Sequence, residues 1–127
     1  MIQFDHIEIH VKNSHNYVLF LKKLFPVSRF KKISDNHTYM FLTGDGIRFE
    51  IKENSSFEHT FDINTHVGFC LPCLRMEGAI DLIEAIQEVT VFKIINNPDG
   101  PCIFFKDYEG IDWHIKDYKI LDIYTNI

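Results

Sequence analysis

The chain has 127 residues, 46% of them hydrophobic including 12 Phe, and a formal net charge of −5. That is enough apolar material for one domain with a modest core, or two half-domains sharing one, and too much for a disordered chain. No apolar run approaches the ~20 residues of a membrane span, and the acidic balance offers no electrostatic footprint for nucleic acid. The charged, His-bearing N-terminus is no signal peptide, and three Cys, an odd number, suit a reducing compartment better than a disulfide framework. The expectation is a cytoplasmic protein with neither nucleic-acid nor membrane partners.

In chain order, period two and period 3.6 alternate regularly. Residues 3–11 read as a strand with Ile7, Ile9 and Val11 on one face and His6, Glu8 and His10 on the other. Asn13 and Ser14 are good N-cap residues, and Tyr17, Val18, Leu21 and Leu24 form a helical stripe that Pro26 ends. Three short strands follow near 28–33, 37–43 and 46–53, separated by Asp35-Asn36 and Gly44-Asp45-Gly46 turns. Residues 54–63, polar and led by Asn-Ser-Ser, read as a linker. The order then recurs in 64–117: a strand near 65–71, a helix from about 74 to 88 burying Met76, Ile80, Ile83 and Ile86, and strands near 90–96, 101–107 and 110–117. Asn97-Pro98-Asp99-Gly100 and Asp107-Tyr108-Glu109-Gly110 supply the turns, and residues 118–127 form a tail. Each half, 1–53 and 64–117, is therefore β-α-β-β-β.

The repetition carries chemistry with it. His66 follows His6 by 60 positions and His114 follows Glu50 by 64, so His or Glu recurs at the matching place in four strands. Side-chain alternation puts His6, Glu8 and His10 on the face opposite the helix, together with Arg48, Glu50 and Lys52. In the second half the same face receives His66, Gly68 and Cys70, then Asp112, His114 and Lys116. Polar residues opposite a buried face occur on any half-exposed sheet, but that alone does not account for the recurrence.

These residues resemble the vicinal oxygen chelate superfamily, which includes glyoxalase I, fosfomycin- and bleomycin-resistance proteins, methylmalonyl-CoA epimerase and extradiol dioxygenases. Ile103-Phe104-Phe105-Lys106-Asp107-Tyr108-Glu109-Gly110-Ile111-Asp112-Trp113-His114-Ile115 is similar to the family's FxDPDGNxWE ending, and Asp5-His6-Ile7 and Thr65-His66-Val67 to its strand openings. The resemblance spans residues 3–117. It implies an α+β protein with two tandem βαβββ modules, whose curved open sheets form a cleft holding a divalent metal. Carried over by position, the ligands are His6, Glu50, His66 and His114, with His10, Arg48, Lys52, Cys70 and Asp112 along the cleft. Two departures stand out: His114 replaces the family's usual final Glu, and Tyr108 replaces the Pro of its DPDG turn.

Three imidazoles and one carboxylate suit Zn, Ni, Fe, Co or Mn, and a mixed N/O set with open positions lets a small-molecule substrate chelate through two oxygens. With His114 in place of the usual Glu, the proton-moving role passes to Glu50 or Glu8. The resemblance thus implies a glyoxalase-like metal-dependent lyase or isomerase, and family members of this size commonly form homodimers. The alternative is a metal-free, ligand-sequestering protein of the bleomycin-resistance type. A minor one is a thiol-disulfide oxidoreductase, since Cys70-Leu71-Pro72-Cys73 reads as a CxPC at a strand-to-helix junction. In the cleft reading, Cys70 lines the cleft and Cys73 sits near a helix start. His15, His37 and His59 fall in helix-start, turn and linker contexts that expose them, and Phe41 or Phe104 is a candidate wall for an apolar pocket.

Overall fold

The alternation of Ile9 and Val11 with Glu8 and His10 produces a strand, β1 (Ile7–Val11), whose apolar residues are buried and whose polar ones are not. Asn13 ends it and starts α1 (Ser14–Leu24), its side chain accepting from the Asn16 backbone N–H at 2.9 Å. Val18, Leu21 and Leu24 are fully buried with Tyr17 as one stripe of α1, and Lys22 and Lys23 complement the dipole in its last turn. The computed structural model describes residues 1–56, 71–98 and 100–117 and divides the chain into two compact units, Met1–Glu58 and His59–Ile127.

In the first unit, β2 (Ser28–Ser34), β3 (Thr38–Thr43) and β4 (Arg48–Glu53) complete a four-stranded sheet in the order β1-β4-β3-β2. β1 runs parallel to β4, while the other two pairs are antiparallel. Phe41, Phe49, Ile51, Ile9 and Val11 cover the face under α1, where Phe25 stacks on Phe49 at 5.6 Å between centroids. His37, the one non-glycine with positive φ among the described residues, sits in the exposed β2–β3 turn.

The second unit has the same order. β5 (Leu74–Arg75), α2 (Ala79–Glu84), β6 (Thr90–Asn97), β7 (Gly100–Lys106) and β8 (Asp112–Lys116) form a sheet β5-β8-β7-β6, again with only the first pair parallel. One expectation fails here: the helix read over 74–88 is two elements. Leu74 and Arg75 pair with Ile115 and Lys116, and Gly78, left-handed at φ 76°, separates that strand from a helix of six residues. Of the four expected core residues, Ile83 and Ile86 are buried whereas Met76 and Ile80 are half-exposed. The helical period of the sequence runs through Met76, but sheet hydrogen bonds to β8 claim this stretch of backbone. The strand expected over 65–71 lies, except for Leu71, outside the described residues, as do the tail 118–127 and all but the first three positions of the linker.

The repeat is a matter of register as well as order. β3 pairs with β4 as Tyr39–Ile51, Met40–Glu50, Phe41–Phe49 and Leu42–Arg48; β7 pairs with β8 as Ile103–Ile115, Phe104–His114, Phe105–Trp113 and Lys106–Asp112. Every residue corresponds at an offset of 64. The hairpin turns match too: Gly46 and Gly110 donate to the carbonyls of Thr43 and Asp107, and both have φ near 90°, where an L side chain is strained. Thr43 Oγ1 accepts from the Ile47 N–H, and Asp107 Oδ1 accepts from the Ile111 N–H. Glu53 Oε1 accepts from the Ser14 N–H at the start of α1, while Asp117 accepts from the Gly78 and Ile80 N–H groups at the start of α2. The parallel strands follow a different offset. Leu74 meets Ile115 as Ile9 meets Ile51, 65 residues apart, whereas His6 and His66 are 60 apart.

Candidate metal centre

On the face of the first sheet opposite α1, cross-strand rows can be read from the register. Arg29, Leu42 and Arg48 form one row across β2, β3 and β4; Lys31, Met40, Glu50 and Glu8 form the next and continue onto β1; Lys52 and His10 lie beyond. His6 directly precedes β1, since the strand begins at Ile7 rather than at residue 3. Its ring is nonetheless on this face, with Nε2 3.1 Å from Glu50 Oε2 and Nδ1 2.6 Å from Asp5 Oδ2.

The remaining charges form a continuous network. Lys52 Nζ lies 3.1 Å from Glu8 Oε1 and 3.6 Å from Glu50 Oε1, His10 Nε2 lies 2.7 Å from Glu8 Oε2, and Arg48 reaches Asp5 at 3.6 Å. Each partner shifts the other's titration. The Asp5 hydrogen bond raises the His6 pKa above its ordinary range, with the nearby Glu50 adding to it, and the same bond lowers Asp5. The His10 and Lys52 bonds lower Glu8, and Glu8 raises Lys52. Glu8 is therefore held ionised at neutral pH.

One oxygen or nitrogen each from His6, Glu8 and Glu50 lies within 4.8 Å of the others. The donor chemistry fits a divalent cation. With Nδ1–H committed to Asp5, the neutral imidazole presents the lone pair of Nε2 to the space beside Glu50, which is the carboxylate–histidine arrangement that orients metal-ligating rings. Two ligand atoms bound cis in an octahedral site at ~2.1 Å lie about 3 Å apart, and Nε2 and Oε2 already have that spacing. Glu50 and His6 are the more sheltered members, at 19% and 29% side-chain exposure, whereas Glu8 sits at the rim at 40%.

In the second unit, taken by itself, His114 occupies on β8 the slot that Glu50 has on β4. Its ring stacks on Phe104 of β7, 5.5 Å between centroids and 11° from parallel, and the Lys93 ammonium lies 4.5 Å from the Phe104 centroid. Burial lowers the His114 pKa and keeps the ring neutral. Asp112 and Lys106 pair at 3.7 Å on the same face. Phe104 and Lys93 escape sequence reasoning as contacts of His114, although alternation from Lys106 already puts Phe104 on this face. Phe41, the other candidate pocket wall, is fully buried beneath α1 because it alternates with Met40, not with Phe49.

His66, His59, Gly68 and Cys70 lie outside the described residues. Cys73 is exposed and leads into β5, six residues before α2, so the helix N-terminus that activates a CxPC thiol is not beside it, and its expected place at a helix start is corrected. The third cysteine, Cys102, is buried on β7. His15 is exposed, with Nδ1 3.2 Å from the Tyr39 hydroxyl.

No family model matches the chain, and no curated protein does. Solved structures do. A glyoxylase/bleomycin resistance protein/dioxygenase domain from Frankia sp. EAN1pec superposes with a TM-score of 0.72 at 12% identity, covering 94% of each chain. A point mutant of the fosfomycin resistance protein FosX from Listeria monocytogenes, in complex with Mn(II) and 1S,2S-dihydroxypropylphosphonic acid, gives 0.69 at 18% identity and 94% of each chain. FosX from Mesorhizobium loti gives 0.66 at 14%, covering 94% of this chain and 96% of that one. The chain has the α+β fold of the vicinal oxygen chelate proteins.

Proposed function

We propose that the protein binds one divalent metal through His6 and Glu50 and uses it to bind a small substrate by two adjacent oxygens, in an isomerase- or lyase-type reaction. The observation that carries this reading is the His6–Glu50 pair, with Asp5 behind the ring and the two ligand atoms 3.1 Å apart. The FosX neighbour in complex with Mn(II) and a dihydroxypropylphosphonic acid supports both the metal and the class of ligand. The expected ligands His66 and His114 belong to the same proposal.

When bound, the metal supplies Lewis-acid polarisation of the substrate oxygens. The chain's own groups do the rest. Asp5 holds the His6 ring so that Nε2 faces the site, and Glu50, with a second oxygen toward Lys52, is the proton carrier. Glu8 is the poorer base, because His10 and Lys52 depress its pKa away from the operating range that favours proton transfer. Its place is to hold Lys52 and frame the rim.

One observation favours a second reading, a metal-free ligand-sequestering protein. The Lys52 ammonium already stands between Glu8 and Glu50, so the carboxylates are compensated without a metal. Metal analysis by ICP-MS after Mn(II), Zn(II) or Ni(II) supplementation and gel filtration separates the two. One equivalent in the wild type and a large loss in His6→Ala support the enzyme; equal metal in both removes the proposed site.

The proposal includes a homodimer. Among the described residues, β2 and β6 are open sheet edges, and β6 exposes Phe92, Ile94 and Ile95. Light scattering that reads 15.0 kDa at micromolar concentration, rather than about twice that, would count against it.

A further inference from the structure

The polar face of the first sheet is electrostatically lopsided. On its β1–β4 side each cation has a carboxylate neighbour: Arg48 has Asp5, and Lys52 has Glu8 and Glu50. On its β2 side, Arg29 and Lys31 have no acidic partner among the described residues, although both stand in the rows that lead through Leu42 to Arg48 and through Met40 to Glu50. The run from Lys22 to Lys32 holds five cations and no acid in a chain of net charge −5. Edge strands often carry lysine simply to block edge-to-edge pairing. Lys32, in the row of Tyr39 on the other face, serves that purpose; Arg29 differs because it lines a space.

That space is a cavity of about 320 Å³ where β2 begins, walled by Arg29 and Leu42 from this face and by Val27, Ser28 and Gly44 at the strand ends. Gly44 packs closely against Val27 at this edge, where a Cβ would come within 2.9 Å of Val27 Cγ1. β2 is two strands from β4, roughly 10 Å in the hydrogen-bonding direction. An Arg side chain reaching inward can thus meet a group that the His6–Glu50 end cannot.

Resting on the metal-chelation reading above, we propose that Arg29, with Lys31 beside it, binds an anionic substituent of the same ligand. The substrate class is then an elongated one, with a vicinal oxygen pair at one end and a carboxylate, phosphate or phosphonate roughly 10 Å away, rather than a compact phosphonate whose charge sits beside its oxygens. Arg is suited to the task because its planar fork takes a carboxylate or phosphate oxygen pair in two parallel hydrogen bonds.

Calorimetric titration of the Mn(II)-supplemented protein with catechol and with 3-(3,4-dihydroxyphenyl)propionate tests this. Both probes offer the same oxygen pair, and only the second carries a remote carboxylate. The expected result is about tenfold tighter binding of the propionate, the size of one charge-assisted hydrogen bond. Arg29→Gln should reduce that preference to within about twofold while leaving catechol affinity and the melting curve unchanged. Lys32→Gln, on the opposite face, should keep the full preference. Equal affinity of the wild type for both probes, or an Arg29→Gln variant that retains the preference, overturns the anion arm while catechol binding leaves the chelation reading standing. If neither probe binds the metal-loaded protein, the chelation reading falls and this inference falls with it.

Discussion

The two units carry one hairpin in the same register and differ in the parallel strand and helix that precede it and in the chemistry of its polar face. β3–β4 and β7–β8 correspond pair by pair at an offset of 64, down to the left-handed glycine of each turn. The first unit adds a five-residue parallel strand and an 11-residue helix capped by Asn13; the second, within its described residues, adds a two-residue strand and a six-residue helix with no side-chain cap from Gly78. The polar faces diverge as well. Met40–Glu50 in one is Phe104–His114 in the other, so a carboxylate set in a charged network answers to a neutral imidazole stacked on a ring. The hairpin is held by backbone hydrogen bonds that tolerate exchange of side chains, and that tolerance leaves room for chemistry to diverge on its outer face.

The buried slot shared by Phe49 and Trp113 should show the largest effect. Trp113→Ala and Phe49→Ala each remove a fully packed aromatic and should cost about 3–5 kcal/mol in urea unfolding. Equal losses would mean the two hairpins contribute alike; a much smaller loss for either would break the equivalence.

Next in size is the turn slot. Buried Asp107 accepts from the Glu109 and Ile111 N–H groups and from Trp113 Nε1, while Thr43 at the same place accepts from the Ile47 N–H. Asp107→Ala should cost about 3 kcal/mol and Thr43→Ala about 1 kcal/mol. Trp113→Phe, which removes the Nε1–H donor to Asp107 Oδ2, should cost about 1–2 kcal/mol. Adding Asp107→Thr, which installs the first unit's Thr–Phe pair, should then cost about 1 kcal/mol less than the two single losses combined. Strict additivity in the double-mutant cycle would show that the Trp113–Asp107 bond contributes nothing.

The helix starts differ by a smaller margin. Asn13→Ala removes the α1 cap and should cost about 1 kcal/mol, whereas Gly78→Asn, which keeps a residue tolerant of the left-handed region, should stay within about 0.5 kcal/mol. Thermal melts of the two variants check the contrast.

The smallest effect is in titration, and there the units oppose each other. His6 has a raised pKa, so in the metal-free protein its contribution to stability is present below its unfolded value near 6.5 and fades as pH rises through the higher folded value. His114 has a lowered pKa, so burial of its neutral ring favours folding above pH 6.5, and this support is lost as pH falls through the lower folded value. Ring-proton NMR titration should place the His6 midpoint above 6.5 and that of His114 below it. The reverse order would contradict the environments of both rings.

The sequence carried the repeat, the helix-facing and outward-facing residues of β1 and β4, the Asn13 cap, and the placing of His6, Glu8 and Glu50 on one face. All of these are local or periodic: a cap is set by one residue, and a face by alternation. The 64-residue offset between Glu50 and His114 was legible because both sit in hairpins, where short turns lock the register. What local pattern could not decide were the pairings made at long range. Whether Leu74 and Arg75 belong to a helix or to a strand depends on β8, about 40 residues away, offering them hydrogen bonds. The insertion of Lys52 between two carboxylates and the aim of the His6 ring from just outside its strand depend on the parallel pairing of β1 with β4. There no turn sets the register, and long side chains choose partners only once the strands are in place.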